Sequence, residues 1–259
     1  MPGPDHHGPV EEIELAGGGI NRVVRIGDEV RRPSAPWSPA MRELLAVLHA
    51  AGLPVPRFLG VDDSGRDVLD YLPGEVAHYP VPSPARTEEA LVDVARTLRR
   101  FHDASVPLVR RDLPWQLPPL PQAEVVVHGD FAPYNLVFSG ATLVGIIDVD
   151  YARPGPRTYD IASALYGLAP LTVSDEGWGT IPERAARVRI FCEAYGLDPA
   201  GTVEALHAVV PRLAWTVSHM REAAAAGHEA FARHVAEGHA EHYEADIRWI
   251  TDHLAALGG

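Results

Sequence analysis

Two acids and an amide lie close together between residues 125 and 150, and their spacing suits chemistry on a polar substrate. Asp130 and Asn135 are five residues apart, and Asp148 follows two short runs rich in β-branched residues. A carboxylate can orient or deprotonate a hydroxyl group, and carboxylate and amide oxygens are good ligands for Mg²⁺. Taken singly, Asp130 and Asn135 are also ordinary turn formers, and Asp148 could simply end a strand.

Short strands are predicted to position these three side chains. The run VVVH is typical of a buried strand, and the runs LVF and TLVGII flank Ser-Gly-Ala, which indicates a hairpin. If Phe138 pairs with Thr142, Asn135 lies at the open end of that hairpin. There it faces Gly145, and Asp148 emerges just beyond. The pattern therefore predicts that an acid, an amide and a second acid converge at one strand end.

The phrase HGDFAPYN followed by IIDVD resembles the catalytic loop and the metal-binding acid of the aminoglycoside phosphotransferase and choline kinase-like family, a relative of the protein kinases. The resemblance implies that Asp130 is the catalytic base, and that Asn135 and Asp148 bind Mg²⁺. It also implies the fold: a two-lobed α+β protein kinase-like fold. A small five-stranded lobe with one helix (residues 10–72) is expected to precede a mostly helical lobe (residues 73–259), after a disordered tail at 1–9.

Three further residues receive supporting roles from the same resemblance. His128 would brace the catalytic loop without taking part in the chemistry. Asp160, in the phrase GPRTYDIA, would anchor that loop and cap the next helix. Asp150, two residues after Asp148, would face a second metal ion or be an ordinary loop acid, and both interpretations remain open.

A glycine-rich segment, GGGIN, lies between two strand-like runs near the N-terminus. It resembles the loop that covers the nucleotide phosphates in this family, with Gly18 and Gly19 as the candidate contacts. It lacks the kinase spacing G-x-G-x-x-G, and a plain flexible turn is an equally good explanation.

The candidate phosphate-holding residue is an arginine, because all 22 basic residues of the chain are Arg. Kinase-like folds pair a strand Lys with a Glu of the next helix. By resemblance, Arg31 takes the place of that Lys and Glu43 that of the Glu. Arg32, on the opposite face of the strand, is the alternative to Arg31. Arg31 and Glu43 could also be solvated surface charges.

The segment DYLPGE (residues 70–75) resembles the hinge between the two lobes of these enzymes. The backbone carbonyl of Asp70 and the backbone amide of Leu72 would then bind the adenine ring. The Pro-Gly pair that follows favours a linker on local grounds as well.

Composition excludes several other functions. The net charge of −13 argues against a nucleic-acid partner, which would require a basic face. No apolar run approaches the roughly 18 residues of a membrane span, and the N-terminus does not resemble a signal peptide, so a cytoplasmic protein is expected. His234, His239 and His242 lack the spacing of a common metal motif, and a solvated helical face explains them better.

The resemblance implies an enzyme that uses ATP (or GTP) and Mg²⁺ to phosphorylate a hydroxyl of a small molecule. An aminoglycoside, another antibiotic, or a cationic or amino-alcohol metabolite would suit as acceptor. The alternative is a catalytically weak or inactive nucleotide-binding regulatory protein of the same fold, a view that the absence of Lys favours. The sequence specifies neither the acceptor nor the oligomeric state.

Overall fold

The N-terminal part of the chain forms an antiparallel sheet. The structure, a computed structural model, describes residues 12–15, 23–174 and 177–258. Five strands are hydrogen-bonded in the order β1-β2-β3-β5-β4. Their bounds are β1 Ile13–Glu14, β2 Val24–Ile26, β3 Glu29–Pro33, β4 Phe58–Val61 and β5 Arg66–Asp70. The tight turn between β2 and β3 and the alternating register set Arg31 opposite Val24 and Val68.

One described helix, α1 (Ser38–Ala50), lies between β3 and β4. Its apolar stripe includes Leu44 and Leu48, which are fully buried against the rest of the core. This spacing of four residues places both side chains on one helix face. The helix packs on β4, on the first long helix of the C-terminal part, and on the turn at 149–151.

Two small sheets follow and carry the predicted site. The strand β7 (Val125–Val127) pairs with β10 (Arg153–Gly155), and the hairpin of β8 (Leu136–Ser139) and β9 (Thr142–Ile146) is extended by β6 (Glu75–Val76). The hairpin was predicted correctly, but its register was not.

Phe138 pairs with Leu143, not with Thr142, and a bulge separates it from the Val137–Gly145 pair. The bulge absorbs one extra residue on β9. Asn135 consequently lies across from Ile147 and not from Gly145. The observed partner of Asn135 is therefore two residues closer to Asp148 in the sequence than the predicted partner, Gly145.

The remainder of the described chain is mostly helical. Its helices are α2 Glu88–Ser105, α3 Thr158–Leu168, α4 Ile181–Tyr195, α5 Pro199–Ala225, α6 Glu229–Ala236 and α7 His239–Leu257. Pro211 lies inside α5 without ending it, whereas Gly238 lies between α6 and α7 as the N-cap of α7. The main hydrophobic core joins α1 and α2 to the hairpin and to α3, α4 and α5.

This architecture matches the predicted α+β arrangement: a five-stranded sheet with one helix, followed by a mostly helical part. The division of the chain after Leu72 stays a prediction. The predicted tail at 1–9 lies outside the described residues. None of the helices that the structure describes is long and apolar enough to cross a membrane.

Candidate active site

One buried carboxylate holds the start of the loop that carries Asp130. The Asp160 carboxylate is fully buried and accepts hydrogen bonds from the backbone N–H groups of His128 and Gly129, at 2.6 and 3.0 Å. His102 Nε2 lies 3.0 Å from the same carboxylate. Burial raises the pKa of Asp160, but the hydrogen bonds and the nearby His102 outweigh it and leave that pKa below its usual value.

The predicted helix cap at Asp160 is wrong. The helix α3 begins at Thr158 and Arg157 is its N-cap, so Asp160 already lies inside the first turn. Its carboxylate faces the loop and not the N-terminus of its own helix. Asp160 therefore anchors the loop by accepting two of its backbone hydrogens.

His128 ties the same loop to the end of strand β9. Its ring is buried between Phe101 and Phe131, and Nε2 lies 2.9 Å from the carbonyl oxygen of Ile147. A carbonyl can only accept, so Nε2 carries the hydrogen. Nδ1 is then free to accept the backbone N–H of Asp130 at 3.3 Å. Both ring nitrogens are thus used in positioning the loop.

Asp130 and Asn135 are joined directly. The Asn135 amide nitrogen donates to the Asp130 carbonyl at 2.8 Å and to Asp130 Oδ2 at 3.1 Å. Asn135 ends a short 3₁₀ turn that begins at Pro133, and this turn brings its side chain back over the preceding loop. Because the amide N–H groups point at Asp130, the amide oxygen remains available to bind a cation.

Asp148 lies beside Asn135. The backbone N–H of Ile147 donates to the Asn135 carbonyl at 3.0 Å, which fixes the next residue of the chain near the amide. Asp148 itself has left-handed backbone angles, φ +60° and ψ +62°, which are uncommon outside glycine. Such angles cost on the order of 1–3 kcal/mol and are typical of functional turns.

The environment of Asp148 is acidic. Burial, followed by repulsion from Asp150, raises the pKa of Asp148 to about 6, while Arg32 acts in the opposite direction. Asp130 contributes further repulsion. Asp148 itself is exposed to solvent, so water weakens the effects of both burial and charge repulsion on its pKa.

These residues fit a hard divalent cation that gains further ligands from elsewhere. Among the described residues, no three His, Cys, Asp or Glu side chains converge as a complete metal site. Asn135 and Asp148 offer two oxygen ligands, and a cation between them would relieve the repulsion that Asp148 experiences. The buried Asp150 Oδ1 has no hydrogen-bond partner in the described structure, which leaves one more oxygen able to accept.

Arg32 supplies the positive charge at this site. Its guanidinium and the Asp150 carboxylate form a buried ion pair, with only 7% and 8% of the two residues exposed. Arg32 Nε has no hydrogen-bond partner among the described atoms. The pair joins strand β3 to the turn that follows Asp148, and one donor of the guanidinium remains unused.

Arg31 faces the other way. Its Nη1 donates to Glu29 Oε2 at 2.7 Å, and its Nε lies 3.4 Å from Asp62 Oδ2. Successive side chains of a strand point to opposite faces of a sheet, so Arg31 and Arg32 cannot both reach the predicted site. The choice of Arg31 over Arg32 therefore lacks support from the geometry.

Glu43 has a different partner from the predicted one. Its Oε1 lies 2.6 Å from Arg111 Nη1, in a pair whose side chains are 29% and 56% exposed. The predicted ion pair between Arg31 and Glu43 is therefore wrong. Exposed pairs of this kind contribute little, because water and salt screen them.

The predicted hinge lies directly against the hairpin. Leu72 packs so closely on Gly145 that a Cβ atom there would lie 2.9 Å from Leu72 Cδ1. Asp70 is held by Arg57, which accepts its N–H at 3.1 Å and donates Nε to its carboxylate at 2.7 Å. Whether the Asp70 carbonyl and the Leu72 amide bind adenine stays a prediction. Gly18 and Gly19 lie outside the described residues.

Two residues at the site were not predicted. The Tyr134 hydroxyl donates to Asp130 Oδ1 at 2.9 Å, and burial together with the nearby Asp130 raises the pKa of Tyr134 well above its usual range. Arg212 of α5 donates to the Gly129 carbonyl at 3.0 Å. Tyr134 lies within the quoted motif and could have been considered. Arg212 is 83 residues from Gly129, and no local pattern indicates the contact.

Comparison with known proteins now identifies the family. The model of the phosphotransferase enzyme family matches residues 11–115 and 108–204. The chain belongs to the phosphotransferase enzyme family. The trifolitoxin immunity protein of Rhizobium leguminosarum bv. trifolii is 34% identical to this chain over 202 residues, which cover 73% of this chain and 75% of that protein.

Solved structures support the same fold for this family member. A choline/ethanolamine kinase family protein from Mesorhizobium loti aligns with a TM-score of 0.61 at 19% identity, covering 98% of this chain and 93% of the other. The gentamicin–APH(2'')-IIa complex also gives a TM-score of 0.61, at 14% identity with 88% and 90% covered. These identities are low, so the likeness concerns the fold alone, and it confirms the predicted kinase-like architecture.

Proposed function

We propose that this protein transfers the γ-phosphoryl group of ATP (or GTP) to a hydroxyl of a small molecule. The observation that carries the proposal is the junction of Asp130, Asn135 and Asp148 through the hydrogen bonds from Asn135 Nδ2 and Ile147 N. This is the arrangement of base and oxygen ligands that phosphoryl transfer requires. Membership of the phosphotransferase family supports the same reaction.

Asp130 is the proposed base. It would accept the hydrogen bond of the acceptor hydroxyl, orient that oxygen, and take its proton as the new bond to phosphorus forms. The Asn135 amide already fixes the carboxylate, so little reorganisation is needed when the acceptor arrives.

Asn135 Oδ1 and the Asp148 carboxylate are the proposed ligands of Mg²⁺. When bound, the cation neutralises charge on the nucleotide phosphates. Burial and repulsion from Asp150 raise the pKa of Asp148, and this supports the role because a cation would stabilise the ionised form. Asp150 has an oxygen nearby with no hydrogen-bond partner, but its carboxylate is already paired with Arg32. We therefore assign Asp150 to the ion pair with Arg32 before any role as a metal ligand.

Arg32, and not Arg31, is the proposed phosphate-holding residue. It is buried, lies on the strand face that points to Asp150, and keeps Nε unpaired. A guanidinium can bind two phosphate oxygens at once, which an ammonium cannot do in the same geometry. Arg31 would then stabilise the N-terminal lobe through Glu29 and Asp62, and Glu43 would connect that lobe to Arg111 of the C-terminal lobe.

A toxic or antibiotic compound is the acceptor class that we propose. The 34% identical relative is named for immunity to trifolitoxin, and phosphorylation that inactivates a toxic compound would confer immunity. Two proteins of similar fold are named in complexes with a nucleotide and an antibiotic: one with ADP and streptomycin, the other with GDP and kanamycin. A reaction that consumes ATP fits the cytoplasmic location expected from the sequence.

The alternative is a nucleotide-binding protein of the same fold that has little or no activity. The absence of Lys and the engagement of Arg32 by Asp150 favour it. Incubation with MgATP and a panel of aminoglycosides, other antibiotics, choline and ethanolamine separates the two. Release of ADP together with an acceptor that gains one phosphoryl group supports the enzyme. Tight MgATP binding by calorimetry with no transfer supports the alternative, and no MgATP binding contradicts both.

A further inference from the structure

Both oxygens of the proposed base are already occupied by hydrogen-bond donors. Tyr134 donates its hydroxyl to Asp130 Oδ1 at 2.9 Å, and Asn135 donates its amide to Oδ2 at 3.1 Å. The Asn135 contact also includes the Asp130 backbone, so it belongs to the loop geometry. The Tyr134 contact comes from a hydroxyl, which is the same group that an acceptor would present to the base.

The position of Tyr134 is set by close packing on both sides. Pro133 is pressed against Gly167 of α3, where a Cβ atom would lie 2.5 Å from Pro133 Cδ. The Tyr134 ring meets the Tyr79 ring edge-on, with 6.2 Å between the ring centres. The turn that carries Tyr134 is therefore constrained, while its hydroxyl is held only by the bond to Asp130 among the hydrogen bonds of the described structure.

An incoming hydroxyl competes with the Tyr134 hydroxyl for Asp130 Oδ1, because a donor that is already bound reduces the negative charge that this oxygen offers to a second donor. A small-molecule acceptor gains binding energy from contacts over its whole surface, and part of that energy can offset the cost of competing with Tyr134. A water molecule makes only its own hydrogen bonds and gains nothing extra. The contact thus disfavours water at the base more than it disfavours an acceptor.

From this geometry we propose that Tyr134 is a specificity-determining residue, which occupies the acceptor position on Asp130 and so suppresses phosphoryl transfer from ATP to water. In the suppressed side reaction, water would form the new bond to the γ-phosphorus, the bond to the β-phosphate oxygen would break, and Asp130 would take the proton. The inference rests on the proposed function, because it requires Asp130 to act as the base.

The test is hydrolysis of MgATP with no acceptor present, measured as released phosphate at saturating nucleotide. Five proteins are compared: the natural chain, Tyr134→Phe, Tyr134→Leu, Tyr134→Phe combined with Asp130→Asn, and Tyr166→Phe. Tyr166 is the matched control, because it loses a hydroxyl that donates to Asp246 at 2.6 Å and not to Asp130. Calorimetric binding of MgADP and thermal unfolding establish that each variant is folded.

We expect Tyr134→Phe to hydrolyse ATP about 5- to 10-fold faster than the natural chain, the effect of one lost hydrogen bond. Tyr166→Phe should match the natural chain, and Asp130→Asn should remove the gain. Hydrolysis by Tyr134→Phe at or below the natural rate, with MgADP bound normally, overturns the inference and leaves the proposed function standing. Tyr134→Leu, which also lacks the hydroxyl, must agree with Tyr134→Phe. Absence of MgADP binding in the natural chain overturns both.

Discussion

Arg32 and Asp150 form a buried ion pair that connects strand β3 to the turn following Asp148. In the arrangement that the sequence suggested, the basic residue of this strand pairs with an acid of helix α1. Here it pairs with an acid two residues beyond a proposed metal ligand. The ion pair therefore connects Arg32, which is proposed to hold the phosphates, to the segment of Asp148, which is proposed to bind the cation.

Arg32→Ala should strongly weaken MgATP binding and also destabilise the protein. Removing one partner leaves Asp150 buried without its counter-charge, which typically costs about 3–5 kcal/mol. Nucleotide affinity by calorimetry and the free energy of unfolding by urea titration measure the two effects.

Arg31→Ala is the matched control for Arg32→Ala. Arg31 pairs with Glu29 and Asp62 at the other face of the strand. We expect a loss of at most about 1 kcal/mol in stability and little change in MgATP affinity. A larger loss of affinity in Arg31→Ala than in Arg32→Ala would reverse the assignment.

Glu43→Gln should leave MgATP affinity nearly unchanged. Its partner in the structure is Arg111, and the pair is partly exposed. A conventional strand–helix ion pair would instead make this glutamate important for phosphate binding. A loss of more than about tenfold in affinity, or 1.4 kcal/mol, would indicate that Glu43 reaches the nucleotide site.

Gly129→Ala should unfold or severely destabilise the loop that carries Asp130. Its φ is +86°, and a Cβ atom would lie 2.1 Å from the backbone oxygen of Tyr151. Gly140→Ala is the control: its φ is +62°, but a Cβ atom there meets nothing within 4 Å. Backbone strain alone costs about 1–2 kcal/mol, so Gly129→Ala should lose clearly more stability than Gly140→Ala in urea titrations. Equal losses would refute the close approach to Tyr151.

Asp160→Asn should lower the free energy of unfolding at neutral pH. It should also make that free energy less dependent on pH in the acid range. The pKa of Asp160 is below its usual value in the folded protein, so its contribution is present above the unfolded value of about 3.9 and is lost as the pH falls further. The variant replaces an acceptor of two backbone hydrogens, at a cost of about 1–3 kcal/mol. Urea titrations between pH 7 and about pH 3 measure how steeply the free energy of unfolding changes with pH in the natural chain and in Asp160→Asn. Parallel curves would contradict the lowered pKa.

Local spacing was enough to predict that Asp130, Asn135 and Asp148 lie close together. Asp130 and Asn135 lie on one loop, and Asp148 follows the adjoining hairpin, so a short-range pattern sets their neighbourhood. The exact pairing of that hairpin escaped prediction, because the bulge near Phe138 adds a residue that the pattern of apolar residues does not reveal.

Long-range contacts could not be predicted from this single sequence. Strand alternation separates Arg31 from Arg32, but only the folded chain shows which face meets Asp150. The partner of Glu43 is Arg111, which lies beyond three further strands and helix α2. The role of Asp160 differed from a cap because α3 begins three residues earlier than expected, with Arg157 and not Asp160 as its N-cap.

The central claim is that Asp130 is the base of a phosphoryl transfer. The most direct measurement compares the transfer rate and the MgATP affinity of the natural chain with those of Asp130→Ala and Asp130→Asn, using the acceptor identified in the panel. We expect transfer to fall by about 100-fold or more in both variants, while MgATP binding stays largely intact. Transfer at the natural rate in a folded Asp130 variant would contradict it.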